Sequence, residues 1–181
     1  EVIGTAEGQR RVSGLYMVAL RDRELLFFAD PVVNIDPDAQ TLADIALLTA
    51  DFVQDLGIEP RIAMLSFSNF GSARHPASEK MQEAAARVTE LRPDLEIDGE
   101  MQADTAVNTE ILQSQYPFSS LKRSANVLIF PNLAAANSSY KMLSELGGAE
   151  VIGPILLGMR HPVQFLQRGS TVQDVVNLVT L

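Results

Sequence analysis

The chain has 181 residues, a formal net charge of −9 from 23 acidic and 14 basic side chains, two histidines and no cysteine. A soluble domain of that length buries roughly 70% of the surface its unfolded chain exposes, so one sizeable core is expected. The acidic balance argues against nucleic acid and anionic membrane as partners, since both need clustered Lys and Arg, and the missing thiols exclude disulfides, thiolate metal sites and cysteine nucleophiles. Small molecules and protein partners are the expected ligands. No apolar run approaches the roughly 20 residues of a membrane span, and a reducing cytoplasm is the default location.

In chain order, residues 15–20 and 25–29 read as two strands of a hairpin around Arg21-Asp22-Arg23-Glu24. A turn at Asn34-Ile35-Asp36-Pro37-Asp38 opens a long helix that ends at Gly57. Ile45, Leu48, Phe52 and Leu56 recur there at spacings of three and four, and Asp36 or Asp38 with Pro37 supplies the start signal. Residues 61–67 form a short apolar strand, 68–76 a polar loop, and 77–91 a helix stopped before Arg92-Pro93. The pattern then predicts a strand at 95–97, a helix near 107–115, a strand at 126–130 and a helix at 133–147. A strand at 150–153 with 155–157 close behind, and a last helix at 171–181, complete the chain. Apolar strands alternating with helices predict a three-layer α/β/α domain with a largely parallel sheet.

Ligands of such sheets bind beyond the carboxyl ends of the strands, where this chain places its polar clusters. The loop Ser66-Phe67-Ser68-Asn69-Phe70-Gly71-Ser72-Ala73-Arg74 could cradle a phosphate through Ser66, Ser68, Ser72, Arg74 and backbone N–H groups, or be a solvated turn. Asp98, Glu100 and Asp104 could suit a divalent cation or a general base, or simply complement a helix start. Asn132, Asn137 and Lys141 line a stretch of small residues that could meet a ligand phosphate or be packing and surface positions. Asp174 closes a capping-box pattern that begins at Thr171, and His75 and His161, each before proline, read as turn residues.

Together these loops carry a family resemblance. Ile3-Gly4-Thr5-Ala6, Ala29-Asp30-Pro31-Val32-Val33-Asn34, the Ser66–Ser72 run, Asp98-Gly99-Glu100-Met101-Gln102-Ala103-Asp104, Asn126–Leu133, Gly153–Gly158 and Arg168-Gly169 resemble the C-terminal half of phosphate acetyltransferases. The form Leu166-Gln167-Arg168-Gly169 is similar to that of the phosphate-acetyltransferase-like domain ending the large bacterial NADP-dependent malic enzymes. The resemblance implies a two-lobed fold related to isocitrate and isopropylmalate dehydrogenases, of which residues 1–181 supply one lobe and one wall of the cleft.

It also implies that a serine, an arginine and an aspartate act together. The aspartate takes the coenzyme A thiol proton, while serine and arginine steady charge on acetyl phosphate. Arg168 and Asp174 match, but Gln167 stands where the serine is expected. Loss of one such donor costs about 10²–10³ in rate, so the site is expected to be degenerate yet still able to bind acetyl-CoA. The function this implies is a regulatory and oligomerisation domain of a malic enzyme, with acetyl-CoA as effector, no cofactor or metal of its own, and NADP with Mg or Mn in the parent enzyme. An active phosphate acetyltransferase is the alternative, and a purely architectural dimerisation domain the second. A homo-oligomer, dimer or higher, is expected on symmetry grounds.

Overall fold

The computed structural model describes residues 2–166 and 168–180. Strands β1 (Ser13–Ala19) and β2 (Leu26–Ala29) form the expected hairpin, with Leu15 opposite Ala29 and Val18 opposite Leu26. There follow α1 (Ala39–Asp55), β3 (Arg61–Leu65), α2 (Pro76–Leu91), β4 (Glu96–Met101), α3 (Ala103–Val107) and α4 (Thr109–Gln115). Strand β5 (Val127–Ile129), α5 (Leu133–Gly147), β6 (Glu150–Leu157) and α6 (Val172–Val179) complete the order.

The six strands form one sheet in the order β4-β3-β5-β2-β1-β6. Neighbours are parallel from β4 to β2, whereas β1 runs antiparallel to both β2 and β6. The reversal has a local cause, because residues 20–25 are too few for the crossover that a parallel neighbour requires. Every residue of β2, β3 and β5 is buried. Their apolar runs suit strands covered on both faces.

Side chains alternate between those faces. Ile62 and Met64 of β3 join Leu42, Ile45 and Val53 of α1 and Met81, Ala84 and Val88 of α2 in one buried cluster. Ala63 and Leu65 point the other way, into a cluster with Phe28, Leu128, Ala106, Leu112, Ala136 and Tyr140. The expected α/β/α layering is thus met by α1 and α2 on one face and α3, α4 and α5 on the other. No helix among the described residues is long and apolar enough to cross a membrane.

Three elements differ from expectation. Strand β4 continues past Ile97 to Met101, so Asp98 and Glu100 lie within a strand rather than beyond one. Pairing with β3 overrides the local turn signal, and Gly99 allows it: a Cβ there would lie 2.7 Å from the Met64 carbonyl oxygen. The helix expected near 107–115 forms as α4, but the short helix α3 precedes it unforeseen, and Asn108, whose Oδ1 accepts from the N–H groups of Glu110 and Ile111, starts α4 afresh. Strand β6 runs unbroken through Pro154, which an edge strand tolerates because one side of its ladder is unpaired.

At the start of α1 the structure chooses Asp38 as the cap. Its Oδ1 accepts from the Thr41 N–H at 2.8 Å, while Asp36 instead pairs with Lys80 of α2. Hydrogen bonds from Thr41, side chain first and backbone second, hold the Asp38 carboxyl below its ordinary value. Because the folded state lowers this pKa, the stabilisation is present above the unfolded value and fades as pH falls through the folded one. Replacing Asp38 with Ala is expected to cost about 1 kcal/mol at neutral pH. Asp38→Asn retains the acceptor and should flatten the acid limb, as checked by urea midpoints across the acidic range.

Candidate functional site

Two carboxylates fix the loops at the carboxyl ends of the parallel strands. Past β2, buried Asp30 accepts from the backbone N–H of Val32, Val33 and Asn34 at 2.8, 3.0 and 3.0 Å, and from Asn34 Nδ2 at 2.6 Å. Past β3, fully buried Glu100 receives Ser68 Oγ at 2.8 Å and the Gly71 N–H at 2.7 Å on its Oε1. Ser68 also accepts from the Ala73 N–H at 3.0 Å, which folds residues 68–73 around its hydroxyl. Sequence alone hid Glu100 in this role, since with Asp98 and Asp104 it read as a cation or base cluster or as a helix start. Its only sequence signal was the apolar Met101 that follows, which extends the strand.

Ser66 and Asn132 line one cavity of about 510 Å³ with Phe67, His75 and Lys80, beyond β3 and β5 and beside the start of α2. Asn132 caps α5, with its Oδ1 accepting from the Ala135 N–H at 2.9 Å. Its Nδ2 donors have no partner among the described residues. Lys80 Nζ lies 2.9 Å from Asp36 Oδ1 and 3.1 Å from the Pro37 carbonyl oxygen. A hydroxyl, an amide and an ammonium thus face one space, but the Asp36 carboxylate lines it too and already pairs with the ammonium, so Ser66 and Asn132 are the donors left for a polar ligand. His75 acts as a turn residue, its Nδ1 accepting from the Ala77 N–H to cap α2.

Lys141 and Asp174 share a second cavity, of about 370 Å³, with Ser144, Glu145, Gly169, Ser170 and the stacked rings of Tyr16 and Tyr140. Lys141 Nζ stands 5.3 Å from the Tyr140 ring centre. Asp174 Oδ2 accepts from both the N–H and the hydroxyl of Thr171, at 2.6 and 2.9 Å. The capping box read from the sequence is therefore formed. Arg168 is exposed in the turn before α6, and Gln167 lies outside the described residues.

Ser68 is buried and committed to Glu100, while Ser72 is exposed with its Oγ 3.3 Å from that of Ser68. Asn137 Nδ2 donates to the Pro31 carbonyl oxygen at 3.2 Å, tying α5 to the Asp30 loop. The three carboxylates read as a cation or base cluster bind separate groups. Asp98 takes Ser119 Oγ and the Ser120 N–H, Glu100 takes the Ser68 loop, and Asp104 takes the Thr105 N–H. Among the described residues, no cluster of three His, Cys, Asp or Glu side chains is placed to hold a metal ion.

With this geometry in place, residues 1–181 match the model of the Phosphate acetyl/butaryl transferase family. The chain is 42% identical over 181 residues to a phosphate acetyltransferase of Bacillus subtilis, covering 100% of this chain and 56% of that one. It is 47% identical over 156 residues to an NADP-dependent malic enzyme of Escherichia coli, covering 86% of this chain and 21% of that one. A phosphotransacetylase structure from Streptococcus pyogenes superposes with a TM-score of 0.92 at 42% identity, covering 98% of this chain and 54% of that one. The chain thus spans about half the length of the phosphate acetyltransferases of Bacillus subtilis and Clostridium acetobutylicum.

Truncating Glu100 to Ala leaves the Ser68 hydroxyl and the Gly71 N–H without their acceptor and is expected to cost about 2–4 kcal/mol. Glu100→Gln keeps an acceptor and should lose less than half as much. Urea unfolding gives the magnitude, and faster proteolytic cutting within residues 66–75 of the Ala variant locates the effect.

Proposed function

The chain belongs to the phosphate acetyl/butaryl transferase family, and from that premise we propose that it forms one wall of a phosphate acyltransferase cleft. The supporting observation is a match along its whole length, in sequence and fold together, to proteins named for that activity. The reaction is acyl exchange between coenzyme A and phosphate. The thiolate attacks the carbonyl carbon of acetyl phosphate, a carbon–sulfur bond forms, and phosphate leaves with the electrons of the broken carbon–oxygen bond. A free thiol is mostly neutral at pH 7, so a base raises the concentration of attacking thiolate.

Asp174 is the base in this scheme. Thr171 holds Oδ2 and fixes the carboxylate, leaving Oδ1 without a partner among the described residues. Arg168 supplies positive charge for the phosphate oxygens. Gln167 stands where the family resemblance expects a serine, so a glutamine amide must serve as the donor or the rate suffers. Ser66 and Asn132, beside Lys80 in its pair with Asp36, line a second polar cavity on the same chain, which in this scheme receives a phosphate of coenzyme A. The partner lobe of a two-lobed, isocitrate-dehydrogenase-like architecture completes the cleft, because orienting two substrates requires both walls.

A second role is favoured by one specific observation, the 47% identity to an NADP-dependent malic enzyme, together with Gln167 in the motif. In that role the same cleft binds acetyl-CoA as an effector without turning it over. NADP and Mg or Mn then serve a separate catalytic domain, and this domain also mediates homo-oligomer contacts.

The full-length protein carrying this chain is expected to form acetyl-CoA from acetyl phosphate and coenzyme A, with kcat reduced on the order of 10²–10³ in Arg168→Ala and Asp174→Asn. Asp174→Asn keeps a capping acceptor, so its loss reports chemistry rather than helix integrity. Calorimetric binding of acetyl-CoA without any turnover would transfer the assignment to the effector role, and absence of both would sink the two together.

A further inference from the structure

The cavity that holds Lys141 and Asp174 has a lining of two unlike kinds. Ser144, Glu145, Ser170 and the two charged groups are polar, whereas Tyr16, Tyr140, Val151 and Gly153 are aromatic, aliphatic or bare backbone. The apolar set is tightly built. The Tyr16 and Tyr140 rings stack with centres 4.3 Å apart, and only 3% and 6% of the two residues is exposed. Tyr16 also lies against the main chain, since a Cβ at Gly153 would collide with its ring. Both rings belong to the buried cluster of Phe28, Leu128 and Ala136, so neither has a space to withdraw into.

We propose that the Tyr16–Tyr140 stack is the stop that limits the length of the acyl group. The inference rests on the phosphate acyltransferase reading above, which leaves the acyl chain undefined, because the family is named for acetyl and for the longer butaryl group alike. In that reading Asp174 takes the thiol proton, so the sulfur and the carbonyl carbon it attacks stand within reach of Asp174. The acyl tail begins at that carbon and therefore lies in the same cavity. Its hydrocarbon end makes no hydrogen bond and goes to the apolar lining, while the carbonyl and phosphate oxygens take the polar one. A short tail ends at the rings. A longer one must displace a stack closed in by the Gly153 backbone and by packed core, and overfilling of that kind is unfavourable.

The purine of coenzyme A is the other apolar group that two tyrosines would attract. Stacking a purine requires an open ring face. Residues exposed to 3% and 6% leave no face of that size open, and Lys141 Nζ already stands 5.3 Å from the Tyr140 ring centre. A small aliphatic tail needs no such face and fits the lining that is present.

Calorimetric titration of the full-length protein with acetyl-CoA and with butyryl-CoA reads the ratio of two dissociation constants, which is defined whether or not the cleft turns its ligand over. The wild-type protein should favour acetyl-CoA on the order of 10-fold. Tyr140→Leu lowers the stop and should shift the ratio toward butyryl-CoA on the order of 10-fold, whereas Tyr140→Phe keeps the ring and should restore the wild-type preference. Val151→Ala widens the same lining without touching the stack and should shift the ratio in the same direction by about threefold, which keeps the test decisive if Tyr140→Leu does not fold. A wild-type protein that binds both thioesters equally, or folded Tyr140→Leu and Val151→Ala proteins with an unchanged ratio, would overturn the acyl stop and leave the cleft reading standing. Failure of the wild-type protein to bind either thioester would overturn both.

Discussion

The fold depends on buried carboxylates that accept backbone donors where parallel strands end. A parallel sheet delivers its loops to one rim, and each loop must find partners for N–H groups that no longer belong to a ladder. Asp30 and Glu100 supply those partners after β2 and β3, the first with four accepted hydrogen bonds and the second with two. Water cannot replace them readily, because both side chains are nearly or wholly buried. The rim is consequently a rigid surface on which Ser66, Asn132 and Lys80 face one cavity.

The opposite end of the sheet is fixed by a cation. Arg61, buried at the start of β3, pairs with Glu24 of the hairpin turn and donates to the Ser124 carbonyl oxygen at 2.8 Å. Asn126 adds a bridge, accepting from the Arg61 N–H at 2.7 Å and donating to the Glu59 carbonyl oxygen at 2.9 Å. Hairpin, β3 and β5 are thereby held at a common level, so the carboxyl ends also align. Arginine suits this position because its planar group satisfies several acceptors at once and resists losing its charge.

The candidate site residues divide between that rim and the turn before α6. Lys141 and Asp174 share one cavity, while Ser66 and Asn132 share another, and the two have no lining residue in common. Coenzyme A, the substrate proposed above, is long and bears phosphates far from its thiol, so two separate cavities are compatible with one extended ligand.

Periodicity and punctuation in the sequence determined most of the elements. The stripe from Ile45 to Leu56 fixed α1, the helix at 133–147 was found to the residue, and the short link at Arg21–Glu24 made the first pair a hairpin. The capping box at Thr171 and Asp174 and the turn role of His75 were also legible, since a cap is set by residues a few positions apart. Tertiary structure decided what depends on residues far apart in the chain. Pairing with β3 drew Asp98 and Glu100 into β4, Lys80 took Asp36 and left Asp38 to cap α1, and Ser68 was committed to a carboxylate 32 positions away. Local patterns encode local hydrogen bonds, whereas the partner of a buried polar group is set only when the sheet brings distant segments together.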